Sequence, residues 1–406
     1  MRLLDRMLSR FVTTGSLSVI DADGGRHAYG RAGEAPHAVM RIHDRRLYRA
    51  LVLNPELKLA EAYMDGAVTF EEGTSVKDFL TLFSRNRSGL GKALSQSLLR
   101  RFWKFMRRRH QHNDVRKAKR QARHHYDLKT DLYRLFLDEE LNYSCAYFPT
   151  RDVSLEEAQR AKHRHAISKL ALEPGMSVLE IGGGWGAFAI HLARAGARVT
   201  SLNVSPEQIA IARERVAEAG LDDRVTFVEK DYREFEGAFD RVVSVGMMEH
   251  VGIGYLDAFF ARVRDLLAPR GFAFIHSIGR MSPPGTTGPF YRKYIFPGGY
   301  VPALSETFAA LERQGLWVAD TEMLRLHYAY TLQEWQKRFE ANRDKVAALY
   351  DERFCRMWEF YLYATELGFV DGSNMVFQLL LARERDAVPI TRDYMVDAER
   401  ALARRA

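Results

Sequence analysis

From Pro174 onward the chain alternates apolar runs and amphipathic stretches in a rhythm that admits few folds. "MSVLEIG" reads as a strand, "GAFAIHLARAG" as a helix, "ARVTSLNV" as a strand and "PEQIAIARERVAEAG" as a helix. "RVTFVEKD" and "FDRVVSVGM" read as strands, "YLDAFFARVRDLLAP" as a helix and "GFAFIHSIG" as a strand. Strands joined by helical crossovers pair in parallel, with helices on both faces. The expected fold class is therefore α/β, a doubly wound, mostly parallel Rossmann-like sheet. "SETFAALERQG", "LWVADTEML", a helical span at 331 to 368 and "NMVFQLLLAR" return to the same material and complete the sheet. Ligands of such sheets bind outside the carboxyl ends of the strands. The residues there are small or polar: Gly182 to Gly186, Asn203, Asp231, Glu249 and His276.

The 406 residues have room for this body, placed at 124–390, and a smaller companion. Residues 1–95 form that companion, a small N-terminal α+β domain for lipid, membrane or dimer contact. It holds a hairpin turning at Asp23-Gly24-Gly25 and a helix in "NPELKLAEAYMDG". Leu3, Leu4, Met7, Leu8 and Phe11 share one helical face, expected to pack on the body. A basic linker at 96–123 follows. The net charge of +8 is unevenly spread: the segment "LLRRFWKFMRRRHQHNDVRKAKRQARHH" holds a large share of the basic residues, with only Asp114 opposing. Such a segment seeks an anionic surface. Trp103, Phe105 and Met106 among the arginines favour lipid headgroups over nucleic acid. "RMSPPGTTGPFYRKYIFPGGYVP" is too long for a simple connection, so 280–304 is read as a lid or substrate-pocket insertion.

No apolar run approaches the ~18 residues of a membrane span. Asp5, Arg6 and Arg10 stand where a secretory signal is apolar, so a cytoplasmic location is expected. The two cysteines, Cys145 and Cys355, have no disulfide or metal spacing. His124-His125 and His163-x-His165 lack a completing carboxylate or cysteine pattern, so no metal is expected.

In "LEIGGGWGA", glycines at 182, 184 and 186 let backbone approach a ligand where a strand meets a helix. Gly182-x-Gly184-x-x-Ala187 matches the dinucleotide fingerprint. Trp185 would crowd a pyrophosphate, however, and the next strand ends at Asn203 rather than at the acid that binds the ribose of NAD. An adenine-containing ligand without phosphates suits the loop better. S-adenosylmethionine is that ligand, with Asp231 as the adenine partner.

At this point the chain resembles the cyclopropane fatty acid synthase and mycolic acid cyclopropane synthase family of S-adenosylmethionine-dependent methyltransferases. The likeness covers most of 121–383. It runs through "HHYDLKTDLYRLFLDEELNYSCAYF", "EPGMSVLEIGGGWG", "KDYREF", "FDRVVSVGMMEHVG", "GFAFIHSIG", "KYIFPGGYVP" and "HYAYTLQEW". The resemblance implies that Tyr143, Ser144, Gly182, Gly184, Trp185, Gly186, Asn203, Ser205, Gln208, Asp231 and Tyr232 contact the cofactor. It further implies a bicarbonate ion acting as base, held by Cys145, Glu249, His276, the Ile278 backbone and Tyr328, with His250 structural. Trp185, Tyr232, Phe290, Tyr291 and Tyr294 are expected to shelter a carbocation through their π faces.

The implied reaction adds a methylene from S-adenosylmethionine across the cis double bond of unsaturated phospholipid acyl chains. The implied partner is an anionic membrane surface, met peripherally at the inner face, and homodimers are common in relatives. Gly183 replaces a usual cysteine and leaves the loop able to bind cofactor, Asn203 replaces a common Thr and stays hydrogen-bond competent, and Thr365 replaces another cysteine, so no catalytic role is carried to it. Tyr330, in place of a frequent basic residue, and Val370, where Arg is common, are the departures that touch the product. Methyl-branched, exomethylene or furan-precursor chains are the alternative products. A methyltransferase of RNA or a small metabolite is disfavoured because no Asn-Pro-Pro-Tyr-like motif follows the fourth strand. A non-catalytic lipid-binding scaffold is opposed by the intact set Cys145, Glu249, His276 and Tyr328.

Overall fold

A computed structural model of the protein describes residues 1–90 and 129–404. The basic linker expected at 96–123 and the pair His124-His125 lie outside the described residues. The chain divides into two units.

The first unit comprises residues 1–90 together with 286–297 and 332–373. Four strands, β1 (Ser16–Ile20), β2 (Arg26–Gly30), β3 (His37–Ile42) and β4 (Val68–Phe70), pair in the order β2-β1-β3-β4. β1 and β2 are the expected hairpin, closed where Asp21 Oδ1 accepts from the N–H groups of Asp23 and Gly25 at 2.9 and 2.8 Å. The helix Pro55–Met64 begins with Pro in its first turn and with Asn54 accepting from the Leu57 N–H. The helix Arg2–Phe11 buries Leu4, Leu8 and Phe11 and leaves Leu3 outward.

The aromatic segment of the expected insertion belongs to this unit, as do the helices after Thr331, although the sequence placed both in the 124–390 body. Phe290 packs edge-on against Phe360 at 4.9 Å, the Tyr291 hydroxyl lies 3.2 Å from Thr365 Oγ1, and Tyr294 donates to Glu61 at 3.0 Å. These contacts bury apolar area and pair hydroxyls, which is why a segment with no regular periodicity takes a fixed place here.

The second unit holds residues 129–285, 298–331 and 374–404. Its strands are β5 (Ser177–Ile181), β6 (Arg198–Asn203), β7 (Val225–Glu229), β8 (Phe239–Val245), β9 (Leu267–Arg280), β10 (Trp317–Met323) and β11 (Asn374–Ala382). They form one sheet in the order β10-β11-β9-β8-β5-β6-β7, in which only β11 runs antiparallel to its neighbours. The inner strands β9 and β11 are covered on both faces and mostly buried, while the edge strands β10 and β7 carry exposed and polar residues. Val178, Val199, Val243, Phe274 and Leu380 enter one core, while Leu179, Leu202, Val242, Ala273 and Leu379 enter the other. Successive residues alternate between the two cores by the period of two. Chain order reverses beside β5, between β6 and β8, which opens a crevice at the strand ends. Among the described residues no helix is long and apolar enough to cross a membrane.

Candidate active site

The loop after β5 is built by its glycines. Gly182 (φ +91°) and Gly186 (φ +85°) occupy the left-handed region, and a Cβ at 186 would lie 2.9 Å from Ala212 Cβ, so neither position admits a side chain without strain. Gly186 caps the helix Ala187–Arg194. Around this loop lies a cleft bordered by Tyr143, Ser144, Lys162, Glu180, Gly182, Gly184, Trp185, Gln208 and His276. Seven of the residues expected to contact the cofactor or the base therefore share one cavity. Trp185 is held against Tyr133 at 5.0 Å, and Tyr143 meets Tyr133 edge-on at 5.2 Å.

Beside the loop, side-chain bonding changes several expected roles. Asn203 ends β6 and uses all of its amide: Nδ2 donates to the Gly184 carbonyl (3.1 Å) and Gln208 Oε1 (3.0 Å), while Oδ1 accepts from the N–H groups of Val204 and Ser205. In this arrangement both amide N–H bonds of Asn203 are used within the loop, so its side chain fixes the loop that borders the cleft. Ser205 caps the helix Pro206–Glu218, accepting from the Gln208 N–H. Gln208 is 2% exposed and its Nε2 is buried without a hydrogen-bond partner, a cost relieved by an acceptor on a bound ligand. Asp231 is gripped by Arg233 through bonds of 2.9 and 2.7 Å, and neither it nor Tyr232 borders the cleft. The Tyr232 ring packs edge-on against Phe259 at 5.6 Å within the core.

Two cleft residues escaped the sequence reading. Lys162, on the helix Leu155–Ser168, donates to Asn142 Oδ1 (2.8 Å) and Ser144 Oγ (3.1 Å). Burial pushes its ammonium down to about 8, against the opposing pull of Asp138, Glu140 and Glu180. Glu180 accepts from the Ser201 hydroxyl at 2.6 Å, and burial pushes its carboxyl up to about 7. An acid inside the apolar run "SVLEI" was the available signal for Glu180; Lys162 lies in a helix rich in charge and gave none.

The expected base-holding residues come from four separate places in this unit. Glu249 stands in a single 3₁₀ turn, Met248–His250, just past β8. Its Oε1 accepts from the Ile278 N–H at 2.6 Å, its Oε2 is buried without a partner, and burial pushes the carboxyl up to about 7. Ile278 thus holds Glu249. Its one N–H is committed to that carboxyl, so the expected backbone part of Ile278 falls to its carbonyl. His276, opposite Val245 of β8, is 3% exposed, and burial pushes its imidazolium down to about 3, so the ring is neutral. Cys145 is fully buried, its Sγ 3.3 Å from the Ala146 carbonyl, and burial pushes the thiol far up, leaving it protonated. Tyr328 opens the helix His327–Ala341 and is 8% exposed. Burial likewise pushes His250 down to about 4. Of the expected shelter, Trp185 and Tyr232 belong to this unit, whereas Phe290, Tyr291 and Tyr294 belong to the first.

Glu140, His163 and His191 bring three possible ligand atoms within 4.8 Å of one another. The two rings are stacked at 4.4 Å and 19°, so their in-plane lone pairs do not converge, and His163 Nε2 already meets Asn142 Oδ1 at 2.9 Å. As it stands the cluster is a hydrogen-bonded stack.

A seven-stranded sheet in this order, with a glycine loop and a buried cleft at its switch point, is the architecture of the S-adenosylmethionine-dependent methyltransferases, and the chain is one of them. Residues 113–379 match the family described as mycolic acid cyclopropane synthetase. The chain is 36% identical over 397 residues to the tuberculostearic acid methyltransferase of Mycobacterium tuberculosis, covering 94% of this chain and 91% of that protein. It is 35% identical over 354 residues to the cyclopropane-fatty-acyl-phospholipid synthase of Escherichia coli, covering 86% of this chain and 89% of that one. A solved mycolic acid cyclopropane synthase, complexed with S-adenosylhomocysteine and CTAB, superposes with a TM-score of 0.61 at 32% identity, covering 65% of this chain and 97% of that chain. The chain belongs to the mycolic acid cyclopropane synthetase family.

Proposed function

We propose that the enzyme transfers a methylene group from S-adenosylmethionine to the cis double bond of unsaturated acyl chains in membrane phospholipids, closing a cyclopropane ring through an acyl carbocation. The observation that carries this reading is Glu249, a buried carboxyl held by one oxygen with the other unpartnered. At a pKa of about 7 it holds its proton over much of the neutral range, so Oε2–H is a donor waiting for an oxyanion. Bicarbonate fits that need, and when bound it supplies the base that takes a proton from the transferred methyl group. Glu249 and His276 would hold it, with Cys145 and Tyr328 at its border. His276 and Ile278 project to one face of β9 by the strand's period, so the bond from Ile278 to Glu249 ties the carboxyl to the strand that presents His276.

On the cofactor, the orphaned Gln208 Nε2 would meet an oxygen of S-adenosylmethionine, and the ammonium of Lys162 and the carboxyl of Glu180 would bracket its charged methionyl end. Peripheral attachment to an anionic inner membrane face, through the basic segment at 96–123, and assembly as a homodimer complete the proposal.

The test is incubation of purified protein with S-adenosylmethionine and vesicles of cis-monounsaturated phospholipid, with and without bicarbonate. The acyl methyl esters are then identified by mass spectrometry and proton NMR. A gain of one methylene with cyclopropyl protons is expected. A methyl-branched chain that keeps a double bond, the exomethylene product left when the cation loses its proton without closing the ring, is the second reading, favoured by the 36% identity to a tuberculostearic acid methyltransferase over almost the whole chain. Absence of any acyl product while the cofactor still binds would overturn both.

A further inference from the structure

Behind His276 lies a file of buried polar side chains. Gln378 pairs with His276 across β11 and β9, is 2% exposed and sets its Nε2 3.2 Å from His276 Nδ1. Its Oε1 lies 2.5 Å from Nζ of Lys169, which caps the helix Leu155–Ser168 and is 3% exposed. Lys169 also donates to Glu322 on β10, and Glu322 Oε2 meets His165 Nε2 at 2.7 Å.

The file leaves one consistent arrangement of protons. An ammonium has donors only, so the Gln378 atom against Lys169 must be the carbonyl oxygen. The amide NH₂ of Gln378 then faces His276 and can only donate. Nδ1 of His276 therefore carries its lone pair, and a neutral ring must keep its single proton on Nε2. The ring stays neutral because it is buried, with Lys162 and Lys169 adding like charge nearby. Nε2 has no hydrogen-bond partner among the described residues, and His276 borders the cleft.

We propose that Lys169, acting through Gln378, locks His276 in its Nε2–H form, making His276 a hydrogen-bond donor to an oxyanion in the cleft and excluding it as the proton acceptor. Lys169 and Gln378 are positioning residues: they act on the base only through the histidine. The identity of the oxyanion as bicarbonate rests on the methylene-transfer reading above; the proton arrangement does not.

The test uses full-length protein with ¹⁵N-labelled histidine rings, saturated with S-adenosylhomocysteine, and assigns His276 by its loss in His276→Asn. The expected result is a neutral ring with the proton on Nε2; a proton on Nδ1 would overturn the proposal. The second arm measures KM for bicarbonate in Lys169→Met and Gln378→Leu. Loss of the lock frees the ring to present a lone pair, so KM should rise about tenfold, the worth of one charge-assisted hydrogen bond. The Kd for S-adenosylhomocysteine should not change, and Lys169→Arg should recover the wild-type KM. Because Lys169→Met also leaves Glu322 unbalanced, the pair Lys169→Met with Glu322→Gln guards against mere misfolding. An unchanged bicarbonate KM in these folded variants refutes the lock. Turnover indifferent to bicarbonate, with the proton on Nε2, supports the lock and refutes the base reading instead.

Discussion

Replacing Glu249 by Gln should stabilise the protein, and only above a certain pH. In the folded chain burial raises this carboxyl from 4.5 to about 7, with the Ile278 N–H opposing the shift. A raised acid pKa means that the fold prefers the protonated form. Wild-type stability is therefore complete below about 4.5 and declines as pH climbs through about 7. At about 1.4 kcal/mol per pKa unit, ionising Glu249 costs the fold about 3 kcal/mol by about pH 8. The amide in the Glu249→Gln variant would keep the bond from Ile278 and never ionise. Urea titrations of both proteins from about pH 4.5 to 9 should show curves that coincide at the acid end and separate by about 3 kcal/mol at the alkaline end. Glu180 titrates in the same range but is present in both proteins, so it cancels in the difference. A gap constant across pH, or one that widens toward acid, would refute the idea that a buried carboxyl at this strand end is held protonated.

Three further outcomes follow from particular contacts. A Cβ at Gly183 would lie 1.9 Å from Ser201 Oγ and 2.9 Å from Glu180 Oε2, so Gly183→Ala should destabilise by about 1–3 kcal/mol, read as a lower urea midpoint. Gln208→Leu should weaken S-adenosylmethionine binding about tenfold by calorimetry, since its buried Nε2 waits for a ligand acceptor; an unchanged Kd would remove Gln208 from the site. Arg241 stacks on Phe272 at 3.8 Å while donating to the carbonyls of Leu170 and Ala171, so Arg241→Lys should cost about 1–3 kcal/mol through carbonyls left without partners, read as a lower urea midpoint.

Short apolar runs located the strands of the large sheet, because strands covered on both faces are mostly apolar and helices fill most of the intervals between them. The hairpin at Asp23-Gly24-Gly25 and the helix after Asn54 were legible for an equally local reason: turn and cap chemistry act over three or four residues. The roles of Asn203, Asp231 and Ile278 were not legible at that level. Their residue types suit a ligand, but which donors and acceptors stay free depends on neighbours such as Gln208, Arg233 and Glu249.

The residue order by itself determined the sheet class, the glycine loop, the family and the strand ends where polar groups gather, since each follows from spacing within one short segment. Tertiary structure alone decided that 286–297 and 332–373 join the first unit, that Lys162 and Glu180 face the cleft and that Gln378 stands behind His276. The physical reason is one of range. Backbone propensity is a local property, whereas burial, pKa and hydrogen-bond pairing are set by groups far away in sequence, brought together only when the sheet closes.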